Sequence, residues 1–313
     1  MTITEKIGFM VFAAIVMLVC LLEIRLALIY VVNKLRGSSK PNPFVARSAV
    51  VVHCFAMIGL LCIPYGFFIE PYWIDVNTIE VETSKLKETN FKVVHISDMH
   101  CDEKMRNEER LVRIINAMEP DAIVFTGDSL NILAALARFR DTMGKLSAES
   151  GKFAVLGNMD RGQWSGSPLY QGTGFELLDQ SDVSVNKGDE SIQIYGLSAG
   201  RSDLYKQVLE GTSPDRFNIF LYHHPDLIES LEDFNVDLYL AGHTHGGQVA
   251  LPFYGALVTL SKYGKKYESG KYMVGKTMLY INRGIGMEGG RAPRVRFWAR
   301  PEITVFNIVP KRG

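Results

Sequence analysis

The chain reads as a layered α/β domain carried behind two membrane-spanning helices. Three observations predict this. Two long apolar runs stand near the N-terminus, short β-branched runs then alternate with helix-period stretches, and metal-binding residue types recur where those runs stop. A length of 313 residues leaves room for one large domain or two smaller ones, with a sizeable core. The formal net charge is zero and 22% of residues are charged, so no electrostatic field argues for a nucleic-acid partner. Cys20, Cys54 and Cys62 fall in the apolar N-terminal part and Cys101 stands alone in the polar part. That excludes a disulfide framework or a CxxC zinc site there.

The first apolar run covers 7–22 and resumes over 26–32, past Glu23 and Arg25, which either pair or snorkel. The second covers 49–69 and is broken only by His53, Gly59, Pro64 and Gly66. Each approaches the ~20 apolar residues needed to cross a bilayer. A cleaved signal peptide is the alternative for the first run, but no small-x-small cleavage site follows it and a second span argues against cleavage. Between the runs, 33–48 carries Lys34, Arg36, Lys40 and Arg47 with no acid, whereas Glu70, Asp75, Glu80 and Glu82 follow the second run. The positive-inside rule puts the loop in the cytoplasm and both termini outside. The expected division is an anchor over 1–70 and a chemistry-bearing domain over 71–313.

Alternation over 72–81 predicts a strand leaving the membrane. Phe91–Ile96 is a β-branched run. Leu111, Ile114, Ile115 and Met118 then mark one face of a helix that Pro120 ends. Residues 121–125 predict a strand, 132–146 a helix and 153–156 a strand. Further strands are expected over 192–195, 218–221, 236–241, 279–281 and 303–306.

Five loops at the ends of these strands hold the chemistry. They carry Asp98 and His100; Asp128 after Gly127; Asn158 in Gly157-Asn158-Met159-Asp160; His223 beside His224; and His243 and His245 in Gly-His-Thr-His-Gly-Gly-Gln over 242–248. Carboxylate and amide oxygens mixed with imidazole nitrogens suit Mn, Fe, Zn or Mg. Seven such groups exceed one tetrahedral ion and match two ions sharing a bridging carboxylate, an arrangement suited to attack by water on a phosphorus ester.

The order DxH, GD, GNxD, HH, GHTHGGQ resembles the calcineurin-like metallophosphoesterase superfamily. Phrases at 223–226, 244–252 and 300–304 are similar to a membrane-anchored bacterial branch of it, and the likeness runs from about Phe91 to the C-terminus. The resemblance implies a sandwich of two mixed β-sheets flanked by helices. It implies one ion held by Asp98, His100 and His245, a second held by Asn158, His223 and His243, and Asp128 bridging both. Two divalent cations would acidify water and neutralise charge on the phosphoryl oxygens during hydrolysis. The branch implies a lipid or amphiphilic phosphate ester as substrate, either a phosphodiester or a pyrophosphate such as UDP-2,3-diacylglucosamine of lipid A synthesis. That nucleotide is cytoplasmic, which conflicts with the outward orientation. The rivals are a broad phospholipid phosphodiesterase outside the membrane and, in a different class, a non-catalytic metal-binding scaffold. The scaffold is disfavoured because all seven ligand positions are filled.

One position departs from the family pattern. Met159 stands where histidine usually follows Gly-Asn near the leaving-group oxygens, and a thioether cannot donate a proton. Expulsion of a basic alkoxide suffers most, whereas a pyrophosphate needs such help less. Arg161 is a candidate for charge near the phosphate oxygens, or else a surface arginine. His95 is expected to be packed rather than catalytic, and His224 supporting or structural. Gln163, Trp164 and Tyr170 lie in a Gly/Ser-rich insert that reads as a solvated loop, with a substrate lid or membrane contact as the alternative. Arg283, Arg291, Arg294 and Arg296 form a candidate anion-binding rim or are exposed arginines without a target.

Overall fold

The computed structural model of the chain describes residues 1–289 and 294–311. It begins with a helical hairpin, α1 (Ile3–Leu35) and α2 (Arg47–Phe68). Both helices are long and apolar enough to cross a bilayer, and their most apolar windows are 0% and 6% buried. So much exposed apolar surface is unfavourable in water and compatible with a membrane anchor. Glu23 does not pair with Arg25: its carboxylate lies 2.7 Å from His53 Nδ1 and so links the two helices.

In chain order the first sheet takes β1 (Asp75–Thr83), β2 (Phe91–Ile96), β3 (Ala122–Phe125), β4 (Gly151–Ala154) and β5 (Phe175–Leu177). The second takes β6 (Ser181–Lys187), β7 (Glu190–Leu197), β8 (Phe217–Tyr222) and β9 (Leu238–Ala241). A small ladder, β10 (Ala250–Leu251) with β11 (Gly255–Ala256), precedes β12 (Gly270–Val274) and β13 (Thr277–Ile281) of the second sheet. Finally β14 (Glu302–Pro310) returns to the first. The six-stranded orders are β1-β14-β2-β3-β4-β5 and β12-β13-β9-β8-β7-β6, and both sheets mix parallel with antiparallel pairs.

The two sheets face each other across an apolar layer. Phe91, Val93, Val124 and Phe153 meet Ile192, Ile194, Ile219 and Leu240 there. On the outer face of the first sheet, Val94 and Ile96 pack against Leu111 and Ile115 of α3 (Glu108–Asn116) and Phe139 and Met143 of α4 (Leu136–Gly144). The central strands are thus buried on both faces, which is why they read as continuous β-branched runs rather than alternating ones. Layering of this kind brings the C-terminal ends of β2, β3 and β4 beside those of β8 and β9, and the five expected loops start at these ends.

Each strand read from the sequence is present, with shifted limits: β1 starts at Asp75 and β4 ends at Ala154. The helix expected over 132–146 opens as a 3₁₀ turn, Leu133–Ala135, before α4. Strands β5, β6 and β12 went unread because they are short, polar or half-exposed. Two shorter helices complete the description, α5 (Asn158–Gly162) and α6 (Tyr205–Leu209).

The hairpin is fastened to the domain at both ends. Glu5 caps α1 through Thr2 and also accepts from the backbone N–H and hydroxyl of Thr259, at 2.7 Å each. At the end of α2, Gly66 O accepts from Arg296 N at 3.0 Å and the Glu70 carboxylate accepts from Ala299 N at 2.5 Å. The anchor expected over 1–70 therefore bonds to the domain beyond it at both termini of the hairpin.

Candidate metal centre

Local backbone strain marks the site. Asp98, His100, Asp128, His243 and His245 all have positive φ, between 39° and 70°. For residues other than glycine this left-handed region costs about 1–3 kcal/mol each, and it persists only where the surrounding structure dictates it. The close approach of the loops supplies that constraint. A Cβ on Gly242 would meet Asp98 Oδ2 at 2.2 Å, and one on Gly157 would meet Asp128 Oδ1 at 2.1 Å. Only glycine admits these carboxylates so near the backbone.

The side chains converge in three overlapping groups with ligand atoms within 4.8 Å of one another: Asp98, His100 and His245; Asp98, Asp128 and His223; His223, His224 and His243. Nε2 of His245 lies 3.4 Å from Asp98 Oδ1 and Nε2 of His223 lies 3.3 Å from Asp128 Oδ2. His100 Nε2 is 3.8 Å from Asp98 and 3.9 Å from Asp128, so the Asp128 carboxylate reaches toward both halves. Asn158 opens α5 with an exposed side chain, one residue before Met159, whose N–H donates to Asp128 Oδ1 at 2.8 Å.

Supporting residues set the tautomers. His223 Nδ1 contacts the Thr126 carbonyl at 2.6 Å, and since a carbonyl only accepts, Nδ1 carries the proton. His100 Nδ1 donates to Asn131 Oδ1 at 3.2 Å, because Asn131 Nδ2 is committed to the carbonyls of His100 and Met287. In both rings the neutral tautomer leaves Nε2 with a lone pair directed at the cluster. Asp98 Oδ1 and His223 Nε2 are buried without a hydrogen-bond partner among the described residues. Buried, unpartnered carboxylate and imidazole atoms with fixed second tautomers fit a pair of divalent cations.

Electrostatics agree. Burial would lower the pKa of His223, yet Asp128 beside it lifts the value to about 10. Burial would raise the pKa of Asp128, yet His223 and His100 hold it down to about 2. In the metal-free chain the charge on His223 therefore contributes stability that is full below its ordinary value and lost as pH rises through about 10. That of Asp128 is present above the ordinary carboxylate value and lost as pH falls through about 2. Cations would displace the imidazole protons. Calorimetry of metal uptake near pH 7 in buffers of different ionisation heat is expected to show release of on the order of one proton or more per chain. Equal heats in all buffers would contradict the assignment.

Asp160 closes the Gly157-Asn158-Met159-Asp160 motif without an expected role in the sequence. It is buried and accepts from the backbone N–H groups of Asp128, Ser129 and Gly157 at 2.9–3.0 Å, clamping the Asp128 loop. Burial and the charge of Asp128 push its carboxyl up to about 6. Asp160→Ala removes no ligand but is expected to weaken metal binding about 10–100-fold, measured by competition with a chelating dye. Unchanged affinity would remove Asp160 from the site. Asn131 has no signal in the sequence, and Arg296 is expected from it on an exposed anion-binding rim. Arg296 is fully buried, donating to the carbonyls of Arg283, Ala299 and His245 and lying 3.3 Å from His245 Nδ1.

Other expectations fare differently. His95 is packed between the sheets, with Nε2 2.9 Å from Thr126 Oγ1 and burial pushing its pKa down to about 3. His224 lies against His243 with ring centres 4.2 Å apart and planes tilted by 56°, within ligand reach. Arg161 is held by Asp179 at 3.5 Å. Trp164 and Tyr170 form neither a solvated loop nor a lid. The indole donates to Leu130 O at 2.8 Å and Tyr170 packs against Phe125, Phe139 and Phe175, while Gln163 is exposed. The arginines expected on a free rim are committed within the domain: Arg283 pairs with Asp75 and Glu302, the partly exposed Arg294 with Asp102, and Arg296 is buried, whereas Arg291 lies outside the described residues.

Comparison with known proteins gives the arrangement its context. The chain is 36% identical over 259 residues to the metallophosphoesterase YkuE of Bacillus subtilis (strain 168), covering 78% of this chain and 88% of that protein. It is 26% identical over 262 residues to the phosphodiesterase YaeI of Escherichia coli (strain K12), covering 78% and 92% respectively. It is 25% identical over 312 residues to the UDP-2,3-diacylglucosamine pyrophosphatase LpxG of Chlamydia muridarum (strain MoPn / Nigg), covering 76% and 93%. The calcineurin-like phosphoesterase family matches residues 91–247, the span that holds all seven expected ligand positions. With this match and this geometry, the chain belongs to the calcineurin-like phosphoesterases, metal-dependent hydrolases built around a dinuclear divalent centre.

Proposed function

We propose that the chain hydrolyses a lipid-linked phosphodiester or pyrophosphate at the surface of the membrane that its helical hairpin spans. Asp98, His100 and His245 would hold one cation, Asn158, His223 and His243 the other, and Asp128 both. Bound cations supply a more acidic water and a counter-charge for the phosphoryl oxygens. The protein orients them: Thr126 O and Asn131 fix two imidazoles, and Asp160 fixes the Asp128 loop.

The observation that carries the lipid reading is the attachment of both hairpin ends to segments next to the His243/His245 loop. Thr259 adjoins Leu260, whose carbonyl is 3.4 Å from His243 Nε2, and Arg296 contacts His245. A centre tied in this way to a membrane anchor favours amphiphilic esters through local concentration. Met159 and the likeness to a UDP-2,3-diacylglucosamine pyrophosphatase favour the pyrophosphate. The basic loop between the spans favours the opposite compartment and hence a phospholipid diester.

A compartment-specific reporter fused to the C-terminus, paired with assays on both lipids, tests this. An extracytoplasmic reporter with cleavage of phosphatidylglycerol supports the diester, and a cytoplasmic one with cleavage of UDP-2,3-diacylglucosamine the pyrophosphate. Hydrolysis of a soluble aryl ester but of neither lipid would overturn the lipid reading.

A further inference from the structure

Phe253, Leu260 and Trp298 share an unusual combination. They are large apolar residues outside the hairpin, exposed at 111%, 51% and 63%, and each has positive φ, at 66°, 58° and 57°. Bulky side chains avoid this backbone region, and here the three side chains are exposed rather than packed in the core. The strained backbone thrusts each side chain away from the domain. Strain together with exposure of this kind gathers at functional loops.

Their positions agree with one another. The Phe253–Leu260 segment is tied to the start of α1: Glu5 accepts from Thr259, and a Cβ on Gly8 would meet the Tyr254 hydroxyl at 1.9 Å. Trp298 is tied to the end of α2, where Gly66 O accepts from Arg296 N, Phe297 lies edge-on to Tyr65 with ring centres 6.0 Å apart, and Glu70 takes Ala299 N–H. Phe68 and Trp73, 73% and 47% exposed, continue the apolar surface from the same helix end. Basic groups stand beside it: Lys262 is exposed, and the Arg300 guanidinium lies 3.8 Å from the centre of the Trp73 ring. Aromatic tips with adjacent cations match the boundary between acyl chains and phosphate headgroups.

We infer that Phe253, Leu260 and Trp298 form a collar that dips into the bilayer beside the hairpin and seats the His243/His245 side of the centre against the headgroups. The inference rests on the hairpin spanning that bilayer and goes beyond it, since a tether alone leaves these residues in water. The collar gives the lipid surface a second point of contact, which fixes the orientation of the domain as well as its distance from the membrane.

The test uses the full chain in vesicles of phosphatidylcholine and phosphatidylglycerol whose acyl chains carry bromine, a short-range quencher of tryptophan. The chain has three tryptophans, and Trp164, bonded inside the domain, is out of reach. Wild type is expected to float with the vesicles and to be quenched, and Trp298→Phe to lose roughly half of the bromine-dependent quenching. Phe253→Trp, at a fully exposed tip, is expected to gain quenching. If wild type floats but neither variant alters the quenching, the collar is wrong and the anchor stands, and the same holds if the tips bury against a second copy. If wild type fails to float, anchor and collar fall together.

Discussion

Asp128→Ala is expected to lower hydrolysis of any phosphate ester this enzyme cleaves by at least on the order of 10³-fold. The carboxylate does three things at once. It lies 3.3 Å from His223 Nε2, 3.9 Å from His100 Nε2, and accepts from the Met159 N–H through Oδ1 at 2.8 Å. Alanine removes the anion between the two halves of the site and frees the loop that carries Asn158. Asp128→Asn separates charge from geometry, because an amide oxygen still accepts from Met159 and asparagine tolerates the φ of 58°. If charge between the halves is the main contribution, the asparagine variant falls nearly as far as alanine. His95→Ala is the control: loss of a packed ring is expected to lower thermal stability without changing metal content. Full activity in either Asp128 variant, with metal in excess, would contradict the dinuclear reading.

Met159→His carries the second large effect. The side chain is half-buried on α5, immediately after Asn158, and the Met159 N–H donates to the Asp128 carboxylate at 2.8 Å. An imidazole there is placed to donate a proton to a leaving oxygen, and such general-acid help is worth about 10²–10⁴ in rate. Turnover of an alkyl phosphodiester, whose leaving group is basic, is expected to rise by one to several factors of ~10. An aryl ester or pyrophosphate leaves without a proton, and its turnover is expected to stay level or fall through crowding. Arg161→Ala supplies the complementary result. Arg161 lies 3.5 Å from Asp179, and a role in charge stabilisation appears as a loss on the pyrophosphate larger than that on the aryl ester. Steady-state kinetics on the three ester classes reads both. Parallel changes across all classes would place position 159 outside the leaving-group chemistry and remove its support for a pyrophosphate.

Much of this site is legible because its chemistry needs particular residue types where strands end. Asp98, His100, Asp128, His223, His243 and His245 are polar groups at the ends of apolar runs, and six of the seven expected positions enter the converging groups directly. Periodicity could not show what holds them. Asp160 and Asn131 act through backbone N–H groups and a ring tautomer, interactions that depend on how loops far apart in the chain meet. Arg296 read as a rim arginine because charge ordinarily implies exposure, yet ring and carbonyl acceptors allow its complete burial. Trp164 and Tyr170 misled for the opposite reason. Their Gly/Ser-rich surroundings predicted a solvated loop, whereas the core beneath α4 had room for their rings. Edge strands such as β6 and β12 have one solvated side and weak alternation, so their existence depended on the neighbouring strand.

The central claim, two cations sharing Asp128, is tested most directly by the metal stoichiometry and magnetic coupling of the purified chain. Manganese-loaded wild type is expected to hold two ions per chain and to give an exchange-coupled spectrum by electron paramagnetic resonance, and Asp128→Ala to lose both the coupling and at least one ion. A wild-type chain that saturates with one ion, or with two that give uncoupled spectra, would contradict it.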